Sequence, residues 1–144
     1  MKKILLILIC LIVIFFTGCS NYTVMPMSDY SINDTANMDN LNIKLIKASW
    51  TENKELELVF EIENKRKDTI TVVPDEYFKL YDINMVQIPN TYAGGSTIIK
   101  KNEKSTVTLC YKVSEKKLYE IYFYSGMIDN NIKFTITDND ISNL

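Results

Sequence analysis

The sequence contains no histidine, and its 144 residues include only four glycines, three prolines and three cysteines. Histidine is the usual general base near neutral pH and a common ligand of zinc. We therefore expect no enzyme, no cofactor and no metal site. Two acidic stretches, Asp75-Glu76 and Asp138-Asn139-Asp140, carry carboxylates. Although oxygen ligands suit calcium, we interpret the first as a solvated loop and the second as a tail.

With only three cysteines, the chain offers few thiols for catalysis or for disulfide bonds. Cys10 and Cys19 lie in the N-terminal segment, so Cys110 is the remaining thiol. It has no histidine partner, and Lys112 is the nearest cation on its strand face. We predict a chance surface or half-buried thiol rather than a nucleophile. With no disulfide expected within the chain, the fold must depend on its core.

The N-terminus has the pattern of an export signal. Lys2 and Lys3 precede thirteen apolar residues, Ile4 to Phe16. This run is shorter than the roughly 17 to 20 residues that a membrane-spanning helix needs, but it is typical of a signal peptide.

The four residues Phe16-Thr17-Gly18-Cys19 resemble the lipobox of bacterial lipoproteins, although Phe16 stands where Leu is usual. The resemblance implies that residues 1–18 are a lipoprotein signal peptide and that Cys19 is lipidated. It predicts a protein anchored to the extracytoplasmic face of the cell membrane. The alternative is an ordinary secretory signal in which Cys19 is accidental.

Removal of residues 1–18 makes the chain acidic. Loss of Lys2 and Lys3 from sixteen Lys plus Arg leaves fourteen, against eighteen Asp plus Glu, a side-chain charge of −4. Nucleic-acid binding calls for a basic face, so we expect no nucleic-acid partner. Anchoring would depend on the acyl chains rather than on a basic patch.

After the signal, the composition divides the chain into three parts. Residues 19–40 are rich in Ser, Asn, Asp and Thr, and we predict a lipid anchor and flexible tether. Residues 41–137 are predicted to be the domain, and residues 138–144 a frayed tail. The alternative for the tether is docking as an extra strand through its apolar residues, which are Tyr22, Val24, Met25, Met27 and Tyr30.

The domain has strand patterns and no convincing amphipathic helix. From Glu55 to Glu63, Leu56, Leu58, Phe60 and Ile62 alternate with mostly acidic residues, as in a half-buried strand. Similar short runs recur with turns between them about every eight to twelve residues. The pattern predicts an all-β protein, a β-sandwich of seven or eight short antiparallel strands.

Segments from Leu41 to Ile136 resemble the immunoglobulin-like (telokin-like) extracellular domain of many Gram-positive lipoproteins. The matching pieces are Leu58 to Asn64, Thr69 to Val72, Phe78 to Asp82, Asn102 to Leu109 and Ile132 to Phe134. Asn84 and Asn102 stand at turn positions where the family has Gly, substitutions that a left-handed turn tolerates. The resemblance implies an immunoglobulin-like fold and a surface location, but no single activity.

Aromatic residues are the one feature that favours binding. If Tyr119, Ile121 and Phe123 face the core, then Tyr122 and Tyr124 face outward. The predicted binding surface comprises Trp50, Tyr77, Tyr92, Tyr122 and Tyr124. Tyr and Trp are enriched at recognition surfaces. The alternative is ordinary cross-strand tyrosine packing.

The sequence thus predicts a non-enzymatic binding module that contacts another protein or a cell-wall polymer at the envelope. The alternative function is a small-ligand-binding or sensor lipoprotein, with its ligand between the sheets or in the loop of residues 89–95.

Overall fold

The computed structural model describes residues 28–95, 97–113, 118–124 and 131–142. The predicted signal peptide, residues 1–18, and the predicted lipidation site Cys19 lie outside these ranges. So do Tyr22, Val24, Met25 and Met27 of the predicted tether.

The described residues form twelve strands and one short helix. The strands are β1 Asp29–Tyr30, β2 Thr35–Met38, β3 Leu41–Trp50, β4 Leu56–Asn64, β5 Ile70–Thr71, β6 Phe78–Asp82, β7 Gln87–Ile88, β8 Asn90–Gly95, β9 Ile98–Ile99, β10 Lys104–Tyr111, β11 Tyr119–Tyr124 and β12 Asn131–Ile136. The helix α1 is Pro74–Tyr77, and a 3-10 turn covers Asp138–Asp140.

Most of the strands in the described residues belong to two five-stranded sheets. The first sheet has the order β1-β12-β11-β6-β7, and the second has the order β2-β3-β4-β10-β8. Strands β5 and β9 form a small separate pair. The predicted all-β sandwich is confirmed. The strand count exceeds the predicted seven or eight because two-residue strands are too short to show alternation in the sequence.

The domain begins earlier than predicted. Strands β1 and β2 lie within residues 19–40, which we assigned to the tether, and Tyr30 packs on Phe134 with ring centroids 5.7 Å apart. In β2, the side chains of Ala36 and Met38 are buried. Strand β1 also runs parallel to β12, whereas we expected antiparallel pairs throughout. Strand β2 has only four residues and polar neighbours, so its alternation of buried and exposed side chains is too short to be recognised in the sequence.

The C-terminal segment is also more ordered than the predicted frayed tail. Ile141 packs into the core, and Ser142 forms a β-bridge with Ser49. Thr137 and Asp140 form a capping box at the 3-10 turn, with the Thr137 Oγ1 donating to Asp140 Oδ2 at 2.6 Å. The sandwich thus continues past residue 137.

The core lies between the two sheets and is aromatic at its centre. The Phe60 ring contacts Phe78 and Phe134 at centroid distances of 4.6 and 5.5 Å. Phe78 in turn contacts Phe123 at 5.0 Å. Burial of each such side chain contributes about 1.5–3 kcal/mol. The inward orientation predicted for Tyr119, Ile121 and Phe123 is confirmed by their burial.

One buried polar side chain organises the end of β4. Asn64 donates its Nδ2 hydrogens to the carbonyls of Asp68 and Ile99 at 2.8 and 2.9 Å. Its Oδ1 accepts the Arg66 amide at 2.9 Å. Because a buried amide is costly unless its hydrogen bonds are made, these contacts fix the turn after β4.

Candidate binding surface

Three tyrosines meet on the outer face of the first sheet, and we call them the tyrosine cluster: Tyr81, Tyr122 and Tyr124. Strand β11 lies between β6 and β12, so its outward side chains have neighbours on both sides. The Tyr122 ring contacts Tyr81 edge-on at 5.3 Å and stacks on Tyr124 at 6.2 Å. The hydroxyls of Tyr81 and Tyr124 are 3.4 Å apart.

The tyrosine cluster is packed rather than open. Tyr122 is only 6 % exposed, so little of its ring face is available to a ligand. Burial, followed by the hydrogen bond to Glu120, raises the pKa of Tyr122. Burial and then Tyr81 raise the pKa of Tyr124. Both hydroxyls therefore stay protonated at physiological pH. These contacts match cross-strand packing, the alternative described for this face.

A polar network links the tyrosine cluster to β1. Tyr122 donates its hydroxyl hydrogen to Glu120 Oε2 at 2.8 Å, and Glu120 Oε1 accepts from Lys133 Nζ at 3.1 Å. Lys133 also pairs with Asp29 Oδ2 at 3.1 Å. Thr135 Oγ1 donates to Asp29 Oδ1 at 2.7 Å. Burial opposes the charge on Lys133, but Asp29 and Glu120 outweigh it and raise the pKa of the ammonium group.

The most exposed part of this region is the turn between β6 and β7. We call its three apolar side chains, Ile83, Met85 and Val86, the apolar tip. They are 67, 57 and 58 % exposed, respectively. The turn is held by Asp82, whose Oδ1 accepts the amides of Asn84 and Val86 at 2.9 and 2.8 Å. Large apolar side chains are thus presented to solvent on a well-ordered turn.

The backbone of the apolar tip is strained at Met85. Its φ is +60°, in the left-handed region that costs an ordinary residue about 1–2 kcal/mol. We expected Asn84 to take a turn glycine's place, but the left-handed residue is its neighbour Met85. Asn102, the other predicted substitution, does have a positive φ of 61°. Such strain is typical of functional surfaces.

The apolar tip and the tyrosine cluster are continuous. The Tyr122 hydroxyl lies 4.0 Å from Met85 Sδ, while its hydrogen bond goes to Glu120. Met85 of the tip therefore contacts Tyr122 of the cluster, and the cluster extends from there along the outer face of the first sheet.

The other predicted binding residues are elsewhere. Trp50 ends β3 in the second sheet and is half-buried against the core. The Tyr77 ring lies 5.6 Å from Phe123. Tyr92 is exposed on β8, with its hydroxyl over Gly94. Sequence reasoning brought Tyr122 and Tyr124 together but missed Tyr81 and the apolar tip. The signal for the tip was present as three apolar residues around a turn.

Reactive groups are few in the described residues. Cys110 is buried, opposite Glu57 and Tyr92 in the sheet register. Burial, and next the Glu57 carboxylate, raise the pKa of its thiol, which disfavours the nucleophilic thiolate. Across residues 28–95, 97–113, 118–124 and 131–142, no group of three His, Cys, Asp or Glu side chains is placed to hold a metal ion. No helix in these ranges is long and apolar enough to span a bilayer.

A small crevice lies beside the loop after β4. It has a volume of about 20 Å³, roughly the space of one water molecule. Its lining residues are Leu41, Arg66, Ile70, Thr71, Val72 and Tyr77. A small-ligand site would need several hundred Å³, so this crevice is not one.

The chain matches no protein-family model and no curated protein sequence, but it is similar to several solved structures. A candidate lipoprotein of Bacillus subtilis, YcdA, superposes with a TM-score of 0.60 at 17 % identity, covering 74 % of this chain and 39 % of YcdA. The secreted protein MPT63 of Mycobacterium tuberculosis gives 0.58 at 12 % identity, covering 82 % of this chain and 99 % of MPT63.

A candidate lipoprotein of Staphylococcus aureus gives a TM-score of 0.56 at 12 % identity, covering 78 % of this chain and 94 % of that protein. These similarities show the fold. At such low identity they carry no residue of one protein's site to another, so the binding surface must be argued from this chain's own side chains.

Proposed function

We propose that the protein is a non-enzymatic binding module, anchored by lipid on Cys19 at the extracytoplasmic face of the membrane. Its binding surface is the apolar tip, and the packed tyrosine cluster supports that tip through the contact of Tyr122 with Met85. The observation that carries the proposal is the exposure of three apolar side chains on a turn whose backbone is strained at Met85.

The location rests on the N-terminal sequence and is supported by the comparisons. Phe16-Thr17-Gly18-Cys19 resembles a lipobox. Two of the similar structures are candidate lipoproteins, and a third is a secreted protein. Mass spectrometry of the mature N-terminus tests the anchor. A mature chain that keeps an unmodified Cys19 would contradict it.

The binding role is supported by the unfavourable free energy of leaving the apolar side chains of the tip exposed to solvent. Exposed apolar side chains forgo burial worth about 25 cal/mol per Å², and the left-handed Met85 adds strain. The turn does not need these residues, because its hydrogen bonds come from Asp82 and the backbone. Exposed apolar residues that the fold does not need are expected where a partner covers them.

The test is chemical crosslinking on intact cells with the full-length protein. We compare the wild type with an Ile83→Ser/Val86→Ser double variant, and use Lys47→Ser/Lys104→Ser on the second sheet as the matched control. We expect a captured molecule that disappears with the tip variant and persists with the control. Equal capture by all three proteins, or none beyond a bare lipoprotein, would contradict the proposal.

Within the part of the chain that the structure describes, the sensor alternative has no comparable support. The crevice beside the loop after β4, at about 20 Å³, is far too small for a metabolite. Tyr92, in the loop region where we had placed a ligand, lies exposed against Gly94 rather than over a cavity.

A further inference from the structure

We infer that strand β8 pairs with β8 of a second copy of this chain, so that the second sheets of two copies join edge to edge in a two-fold dimer. The inference concerns a different surface from the apolar tip and does not depend on the proposed binding role. The occupant of this edge is a polypeptide strand, because the groups to be satisfied are a row of backbone amides and carbonyls.

Strand β8 forms an open edge of the second sheet. It pairs with β10 on one side. Within the described residues, the backbone of Asn90–Gly95 forms no hydrogen bond apart from that ladder. The helix α1 contacts strands of both sheets, so it lies between the sheets rather than alongside this edge. Alternate residues of β8 therefore direct their amides and carbonyls away from β10, where no described strand receives them.

The other three edges in the described residues are poorer templates for pairing. Strands β1 and β7 have two residues each, and β2 has four residues between Asp34 and Asp39. Natural proteins keep edge strands from pairing by making them short, by charging them or by placing proline in them. Strand β8 has six residues with no charge and no proline, so it lacks these protections.

The distribution of charge favours a second copy as the occupant. From residue 28 onward, the longest run without Asp, Glu, Lys or Arg is residues 83–99, and β8 lies within it. Without residues 1–18, the chain has fourteen Lys plus Arg against eighteen Asp plus Glu. Two such acidic copies repel unless they meet where neither carries charge. A strongly charged partner would instead be drawn to an edge of opposite charge, which β8 does not offer.

The edge can pair with itself in a closed arrangement. An antiparallel pair with two-fold symmetry places one residue opposite its own copy and uses the same surface on both subunits, so assembly stops at two. Gly95 has a φ of +126°, so the extended part of β8 ends before it and the middle of the edge is Tyr92. With Tyr92 on the axis, Thr91 lies opposite the partner's Ala93, and a larger residue faces a small one.

Tyr92 supplies the main side-chain contact of this pair. It is 55 % exposed and lies opposite Cys110 in the register with β10. Its hydroxyl lies over Gly94 of its own strand, so the ring follows the sheet face and leaves the backbone edge open. Opposed residues of an antiparallel pair have Cβ atoms about 4.5–5.5 Å apart. The two Tyr92 rings therefore meet across the axis, as a stabilising aromatic pair.

The first test is the oligomeric state of purified full-length protein, measured by native mass spectrometry after release from detergent micelles. We expect a dimer for the wild type and for Tyr92→Phe. Tyr92→Lys places like charges across the axis and should weaken the dimer about tenfold or more. Asn37→Lys, at an exposed position of the β2 edge, is the matched control and should dimerise normally. A wild-type monomer, or species larger than a dimer, would overturn the inference.

A charge swap tests whether β8 meets β8. When Tyr92→Lys is mixed with Tyr92→Glu, opposite charges face each other across the axis. We expect a mixed dimer, although neither variant dimerises well alone. Unfolding midpoints confirm that both variants fold. Failure to recover the mixed dimer from folded variants would show that Tyr92 does not lie at the axis.

Photo-crosslinking tests the pairing on intact cells, with the reactive amino acid at Tyr92 or, as the control, at Asn37 of the full-length protein. We expect an adduct of twice the mass of the chain from position 92 only. An adduct with another protein or with a polymer, or no adduct, would overturn the inference.

The self-adduct is also distinguishable from a molecule captured by the apolar tip. It should persist in the Ile83→Ser/Val86→Ser variant, which removes the apolar side chains of the tip but leaves β8 unchanged. Loss of the self-adduct in that variant would mean that the tip, rather than β8, joins the two copies. A self-adduct through β8 with no molecule captured by the tip would contradict the proposed binding role alone.

Discussion

The outer faces of the two sheets differ in chemistry. The central strand of each face, β4 in the second sheet and β11 in the first, nevertheless has the same sequence alternation of core-facing and outward-facing residues. On the second sheet, β4 presents Glu57, Glu61 and Glu63, which pair with Lys47, Lys104 and Lys65 at 2.6 to 2.8 Å. On the first sheet, β11 presents Glu120, Tyr122 and Tyr124. One face is a row of exposed ion pairs, and the other is a packed aromatic cluster beside an apolar tip.

This difference separates a charged, hydrated face from the face that carries the proposed binding surface. Exposed ion pairs contribute roughly 0–1 kcal/mol each and weaken with salt. The ion pairs of the second sheet therefore give it a hydrated, charged surface but change the free energy of unfolding little. The first sheet concentrates its stability in buried outward-facing rings and places the exposed apolar side chains next to them.

Truncation of a cluster tyrosine should cost far more than truncation of an ion-pair residue. Tyr122→Ala removes a nearly buried ring and its contacts, and we expect a loss of about 3 kcal/mol in the free energy of unfolding. Glu61→Ala on the second sheet should cost less than about 1 kcal/mol. Urea unfolding measures both. Equal losses would mean that the two faces contribute alike.

Removal of Lys133, which pairs with both Asp29 and Glu120, should cause an intermediate loss of stability. Lys133→Met leaves the carboxylates of Asp29 and Glu120 facing each other without a cation, and we expect a loss of roughly 2 kcal/mol. Lys104→Met, whose ammonium is mostly exposed, should lose much less stability than Lys133→Met. Hydrogen exchange at Asp29 and Tyr30 should accelerate in the Lys133 variant only. Unchanged exchange there would show that the network does not hold β1.

The pH dependence of stability should separate the two faces. The folded state raises the pKa of Tyr122 and Tyr124 above the ordinary 10.0, so it holds more protons than the unfolded state at alkaline pH. Stability is then fully present below pH 10 and falls as the pH rises further. At the acid end, the hydrogen bonds from Lys65 and then Asn42 lower the pKa of Glu63 below 4.5, so stability falls as the pH drops below about 4.5.

Unfolding midpoints across the pH range test this assignment. Tyr124→Phe should flatten the alkaline fall only, and Glu63→Gln chiefly the acid fall. Some alkaline dependence should remain in Tyr124→Phe, because the pKa is also raised at Tyr111 by burial and at Lys104 by Glu61 and, to a smaller extent, Glu63. If Glu63→Gln flattened the alkaline limb more than Tyr124→Phe does, the assignment of the limbs to the faces would be wrong.

The smallest expected effect is a stabilisation. Met85→Asn places a residue that tolerates the left-handed region at the strained position, and we expect a gain of up to about 1 kcal/mol. The mirror change, Asn102→Met in the turn before β10, should lose about as much because Asn102 has the same backbone conformation. Denaturant unfolding of the pair provides the comparison. A loss in both variants would mean that Met85 packing outweighs its backbone strain.

The sequence predicted the long strands well and the short ones poorly. The nine residues from Glu55 to Glu63 can be recognised as a strand because every second side chain is apolar and faces the core. The two residues of β1 cannot, since their pairing with β12 depends on Phe134 and Lys133, more than a hundred positions away. Long-range pairs of this kind leave no local period.

The proposed binding surface was only partly predictable from the sequence for a related reason. Tyr122 and Tyr124 could be assigned to an outer face from the alternation of β11. Tyr81 joins them only through the register of β6 with β11, and the apolar tip depends on a left-handed Met85 that ordinary turn propensities disfavour. Met85 adopts a backbone conformation that methionine disfavours, so the sequence alone pointed to its neighbour Asn84 as the left-handed residue.

The parallel course of β1 and β12 has a mechanical consequence. A force applied at Asp29 along the axis of β1 would shear this strand against β12 rather than peel it away. It would load the pairings of Asp29 and Tyr30, together with the Asp29–Lys133 ion pair, at the same time. Strands pulled in this direction must slip as a unit, whereas strands peeled apart give way one bond at a time. For a force along the strand axis, the contacts that hold β1 on β12 therefore resist together as a shear clamp.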